Sequence, residues 1–155
     1  MKFNYSVNGI TLPSVDVVKD LGVMISSNLK FSEHVTCVTR KASRTCNFIL
    51  RAFVSKNASV YTKLYNSLVL PVICYGSVVW SPGLKKDSDR LQRVQDRFLK
   101  RVEWRCNIPR CSLKLPLISE IFVKNDEKMM NIIVRDQAVV HDSSRLQIHL
   151  RDQRN

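Results

Sequence analysis

Glycine and proline are scarce in this 155-residue chain, with four and five copies, and no segment is low in complexity. Their scarcity excludes collagen-like repeats, glycine-rich phosphate loops and Pro/Gly-rich linkers, and with 45 % hydrophobic residues it argues against wholesale disorder. Long apolar runs are also missing. The longest, Leu68 to Tyr75, is broken by Pro71 and falls far short of the roughly 20 residues of a spanning helix, so no membrane span is expected. Met1 to Val7 holds no apolar signal region, and five cysteines, an odd number, make no complete disulfide framework. We therefore expect an intracellular chain, in cytoplasm and nucleus. Acidic residues are the other shortage. Thirteen Asp and Glu stand against 25 Lys and Arg, a net charge of +12 and a pI near 9.8, which point to a polyanionic partner, nucleic acid before acidic membrane.

What is present reads as a mainly α chain with a small N-terminal β element, α+β in class. Phe3, Tyr5 and Val7 alternate with polar residues up to Asn8-Gly9, and Ile10 and Leu12 resume the alternation, which predicts a tight hairpin. Leu21 to Ile25 reads as a third strand, at the edge of a larger sheet. From Ser32, expected as N-cap, the period becomes helical, with Val35, Val38, Ala42, Ile49 and Phe53 on one face. A second helix is expected from Ala58 to about Val79, with Val60, Leu64, Leu68, Val72 and Tyr75 inward and a kink at Pro71. Ser81-Pro82-Gly83 breaks it. A third helix, capped by Asp87-Ser88-Asp89, runs to about Trp104 and buries Leu91, Val94, Phe98 and Val102. After a loop from Asn107 to Pro116, a last helix is expected from about Asp126 to His141, with Met129, Ile132, Ile133 and Val140 inward, and the tail from Ser143 is expected to fray. The expected units are 1–30, a β element, 31–105, a helical region, and 106–155, a helical extension with a basic tail.

The chemistry in these elements is cationic. Arg90, Arg93, Arg97 and Arg101 share a face about 100° from the apolar stripe of the third helix, so burying one aims the other outward. Lys85, Lys86, Lys100 and Arg105 add to them, against Asp87, Asp89, Asp96 and Glu103. The first helix repeats the theme with Arg40, Lys41, Arg44 and Arg51. Such stripes suit phosphates, because neutralising each one releases counterions and needs no base-specific geometry. An ordinary solvated amphipathic helix would carry the same pattern. If the two helices pack antiparallel, their stripes would border one groove. Trp80 and Tyr75 are expected in the core, Trp80 sealing a corner and bonding through its ring nitrogen. Cys37 and Cys46 read as small buried hydrophobes, and His34 as a helix-terminal polar group. Cys106 and Cys111, with Cys74, His141 and His149 elsewhere, lack the paired spacing of a zinc site. No metal ligand set and no catalytic residue is assigned.

A set of ordered blocks is more specific. Val18-Lys19-Asp20-Leu21-Gly22-Val23, Leu29 to Val35, Arg40-Lys41-Ala42, Leu64 to Val69, Tyr75-Gly76-Ser77-Val78-Val79-Trp80-Ser81-Pro82 and Leu91 to Phe98 stand in a sequence and spacing that resembles the end of the palm and the thumb of reverse transcriptases from non-LTR (LINE, Jockey-like) retrotransposons. Within that resemblance Gly22, Tyr75, Gly76, Trp80 and Pro82 are structural positions. It implies a non-catalytic C-terminal fragment of an RNA-directed DNA polymerase, gripping RNA, DNA or an RNA–DNA hybrid through Arg40, Lys41, Arg44, Arg51, Arg90, Arg93, Arg97, Lys100 and Arg101. The metal-binding aspartates would precede Met1. No adjacent Asp-Asp pair occurs in this chain, so Mg2+ is expected only in the complete polymerase, and the absent palm and fingers are expected partners. The alternative is a helical scaffold without nucleic-acid specificity that binds protein or itself through apolar surface left exposed, and a third reading is a decayed element.

Overall fold

Apolar residues three and four apart organise most of the core in the computed structural model, which describes residues 5–109, 113 and 115–152, with side chains to residue 136. Two antiparallel strand pairs come first, β1 (Ser6–Val7) with β2 (Ile10–Thr11) and β3 (Val17–Asp20) with β4 (Val23–Ser26). Helices α1 (Ser32–Ala52), α2 (Ala58–Leu64), α3 (Leu70–Cys74), α4 (Ser77–Trp80), α5 (Lys85–Cys106) and α6 (Ile118–Asp152) follow. The fold is thus mainly α with a small β element.

The first hairpin turns at Asn8-Gly9 as expected, though its strands are two residues each and Tyr5, Val7, Ile10 and Leu12 all face outward. Phe3 lies outside the described residues. The single third strand is corrected to a second hairpin. Leu21 and Gly22 both take positive φ, 44° and 89°, the demand of a two-residue hairpin turn, so Leu21-Gly22 is the turn and Val23–Ser26 the returning strand. Val23 is buried, and β4 lies against α1.

Helix α1 buries Val35, Val38, Ala42, Cys46 and Ile49. Ser32 is its first residue rather than its cap; its hydroxyl donates to Asp87 Oδ2 of α5 at 2.6 Å. Phe53 is exposed, because the helix ends at Ala52 and the chain is extended there, beyond the reach of helical periodicity. In α5 the expected Asp87–Asp89 cap is likewise corrected: the helix begins at Lys85, and Asp87 is buried in its first turn. Its Leu91, Val94, Phe98 and Val102 stripe is buried as expected.

Residues 58–80 depart most from expectation. Tyr61, Tyr65, Val69 and Ile73 are the buried face, while Leu68 is 41 % exposed and Tyr75 60 %. Four-residue spacing overshoots a 3.6-residue turn by about 40° each time, and a π turn at Tyr65–Val69, closed by Leu70 N–H to Tyr65 O, takes up the extra residue. Pro71 follows directly, in the first turn of α3, where its missing N–H matters least. Gly76, at φ 62°, then ends the run before Val79 and starts α4 as one short turn.

Helix α6 begins eight residues before the expected start and continues through Asp152, so the segment from Ser143 has a helical backbone instead of fraying. Gln92 Oε1 accepts Ile118 N–H at 3.0 Å, satisfying a backbone donor of its first turn, and Gln95 donates to Pro116 O at 2.9 Å. Ile118 and Phe122 are buried. Met129, Ile132 and Ile133 face solvent, not the core, because α6 has left the other helices by then; the side chain of Val140 lies outside the described residues.

Candidate nucleic-acid interface

Helices α1 and α5 lie side by side and run parallel, not antiparallel. Ser32 meets Asp87, Arg90 Nη1 donates to Thr36 Oγ1 at 3.1 Å, Arg101 Nη1 donates to Asn47 Oδ1 at 2.9 Å and Arg105 donates to Leu50 O, a nearly constant separation of 54 or 55 residues. The α2–α4 segment carries the chain back between them, which is what makes parallel packing reachable.

At 100° per residue Arg40, Arg44 and Arg51 lie within about 40° of one another, on the outward flank of α1 beside α5. On α5, Arg97 and Arg101 line a small hollow with Ser43, Cys46, Asn47 and Leu50 of α1. Arg93 is exposed beside them, and Arg90 stands 3.7 Å from Asp87. The two stripes therefore meet at Arg51 of α1 and Arg97 and Arg101 of α5, which border the groove between the helices. Lys41 belongs to the other flank of α1, where its charge joins burial in lowering the pKa of His34, and Lys100 is turned further from α1 than Arg97 is.

Arg105 leaves the basic cluster for a structural role. Its guanidinium donates to Leu50 O, to Phe53 O at 3.1 Å and to Tyr61 Oη at 3.2 Å, and it lies 5.9 Å from the Tyr61 ring centre. It thereby satisfies carbonyls at the C-terminal end of α1, while Lys56 Nζ donates to Arg105 O of α5 at 3.3 Å.

Trp104 is the residue that the sequence reading passed over. It is 86 % exposed and borders an open depression of about 610 Å³ with Asn47, Leu50, Arg51, Arg101 and Arg105. The signal was available: seven residues past Arg97, Trp104 falls within about 20° of it, off the buried stripe of Val102 and Cys106.

The structural positions divide. Trp80 is fully buried, donates from Nε1 to Tyr75 O at 2.7 Å, and meets His34 and Phe122 edge-on with ring centres 4.8 and 5.5 Å away. Tyr75 is corrected from core to surface: its hydroxyl donates to Leu21 O at 3.0 Å and its ring lies against Gly22, so it clamps the second hairpin from outside. A Cβ at Gly22 would touch that ring at 3.4 Å, and the backbone there holds a φ of 89° that side chains resist. Gly76 lies against Val23 and Trp80, and Pro82 is half-buried beyond them.

His34 is buried, its Nδ1 accepting Met24 N–H at 3.2 Å and tying β4 to α1. Cys46 is buried as expected and burial pushes its thiol up to about 12, leaving it protonated. Cys37 is only half-buried, and Cys111 lies outside the described residues. Among the described residues no group of three or more His, Cys, Asp or Glu is placed to hold a metal ion, and no helix is long and apolar enough to cross a membrane.

No family model and no solved structure matches this chain. It is similar to an uncharacterized protein of Caenorhabditis elegans, 35 % identical over 95 residues, which are 61 % of this chain and 48 % of that protein. It is also similar to the RNA-directed DNA polymerase from the mobile element jockey of Drosophila funebris, 24 % identical over 123 residues, 74 % of this chain and 13 % of the polymerase. The chain thus spans about half of the first and a small part of the second, and the retrotransposon likeness is weak and partial.

Proposed function

We propose that this chain acts as a thumb-like nucleic-acid grip of a non-LTR retrotransposon reverse transcriptase, a non-catalytic C-terminal part of it, binding a template–primer duplex or RNA through the α1–α5 groove. The observation that carries this reading is the parallel pairing that brings Arg51 of α1 to the same depression as Arg101 of α5, with Arg97 lining the adjoining hollow. Cations spread along two helices match a run of phosphates better than a single anion. The likeness to the jockey polymerase supports the same direction. In this reading RNA, DNA or their hybrid is the partner, the palm and fingers of the polymerase complete the machine, Mg2+ belongs to that absent part, and the protein works in cytoplasm and nucleus.

The test is a titration of the chain with an RNA–DNA hybrid at several salt concentrations. Arg93, Arg97 and Arg101 replaced together by Ala should weaken binding and flatten the slope of log affinity against log salt by up to about 0.9 per lost phosphate contact. Unchanged affinity and slope would overturn the reading.

A second reading, association with protein or with a second copy, is favoured by α6, where Met129, Met130, Ile132, Ile133 and Val134 are all exposed. Light scattering decides it: mass should rise with concentration, and a monomer at high concentration speaks against self-association.

A further inference from the structure

The end of the groove is chemically unlike its middle. Helices α1 and α5 run parallel and finish together, at Ala52 and Cys106, so both negative helix ends point the same way. There Arg105 and Lys56 are already engaged with the terminal carbonyls. What faces solvent at that end is an indole. Trp104 is 86 % exposed on a rigid helix, beside an apolar wall from Leu50, with Arg51 and Arg101 flanking a depression of about 610 Å³, within the size range of small-molecule sites. An indole left in water forgoes burial of roughly 150–250 Å².

We infer that Trp104 is a stacking platform for an unpaired base of single-stranded nucleic acid whose phosphates lie along Arg97 and Arg44. The inference rests on the phosphate-gripping reading of the groove and adds a ligand class, a strand with an accessible base face. Every base has such a face, so binding is tolerant of sequence but demands bases. Arg51 and Arg101 hold the flanking phosphates to either side, and the anchored guanidinium of Arg105 keeps the end of α5 in place.

Trp80 is buried and Trp104 is exposed, so the two indoles separate by their access to quencher. We would titrate the full chain with oligouridylate of about 12 nucleotides, the same length of abasic strand and a blunt RNA–DNA hybrid, following tryptophan emission. The uridylate should quench the exposed indole and bind about 5- to 150-fold more tightly than the abasic strand. Trp104→Ala should erase that difference, while Trp104→Phe should retain part of it. Equal binding of uridylate and abasic strand with no quenching, or a Trp104→Ala protein that still prefers bases, would overturn the platform. If hybrid binding with a steep salt slope persists in that case, the groove reading survives alone. Loss of all binding in the unaltered chain overturns both.

Discussion

His34 shows how one side chain ties its protonation to the fold. Burial, and then the charge of Lys41, hold its pKa below the ordinary 6.5, and its Nδ1 serves as an acceptor for Met24 N–H. Protonation would turn that acceptor into a donor facing a donor. Above pH 6.5 both folded and unfolded chains carry a neutral imidazole, so no stability depends on pH through this group. As pH falls through 6.5 the unfolded chain takes up the proton first, and stability drops until the folded pKa is reached. Urea unfolding measured down to about pH 5 should therefore decline more steeply in the unaltered protein than in His34→Gln; equal slopes would exclude the linkage. Arg105 makes a second case. Its Nη1 lies within hydrogen-bond reach of three acceptors and its guanidinium is 5.9 Å from the Tyr61 ring centre, so Arg105→Ala, which removes all of these contacts, should cost about 1–3 kcal/mol of stability, read as a lower urea midpoint at unchanged slope.

The α2–α3 segment carries the lesson of the secondary-structure elements. Apolar residues surround much of residues 58–74, so two stripes compete there: Val60, Leu64, Leu68, Val72 and, one position on, Tyr61, Tyr65, Val69, Ile73. A single-turn period does not rank them. The π turn decides for the second, because it rotates the later residues to stay in line with Tyr61 and to place the Tyr65 ring 5.1 Å from Phe98. Tyr65→Ala should then cost about 3–5 kcal/mol and Leu68→Ala less than about 1 kcal/mol; comparable losses would mean that the buried face is misassigned. The second hairpin gives a sharper test of conformation. Gly22 at φ 89° under the Tyr75 ring predicts that Gly22→Ala destabilises by more than about 1 kcal/mol, although its neighbour Leu21 is exposed.

For the molecule as a whole, charge is the governing property. A net charge of +12 on 155 residues repels itself, and the basic flanks of α1 and α5 lie against one another instead of apart. Raising ionic strength from about 0.01 to 0.15 M shortens the screening length from about 30 to 8 Å, so thermal stability should rise with salt. A melting temperature that is flat or falling over that range would show that the stripes are already neutralised within the fold.

Legible in the residue order were the features that repeat over one or two turns. The first hairpin turn, the buried stripes of α1 and α5, the outward arginines at 100° from them and the corner role of Trp80 all follow from local spacing and local chemistry, since neighbours three or four apart share a helix face whatever the rest of the chain does. Contacts between residues 54 or 55 apart carry no such periodic trace. The parallel pairing of α1 with α5, the inward turn of Arg105 onto the end of α1, the choice of Tyr65 over Leu68 and the exposure of Trp104 and the later α6 residues were decided by tertiary packing, because each depends on which helix lies beside which. The groove is the product of both: local periodicity supplies the two cationic stripes, and the long-range ladder from Ser32–Asp87 to Leu50–Arg105 sets them edge to edge.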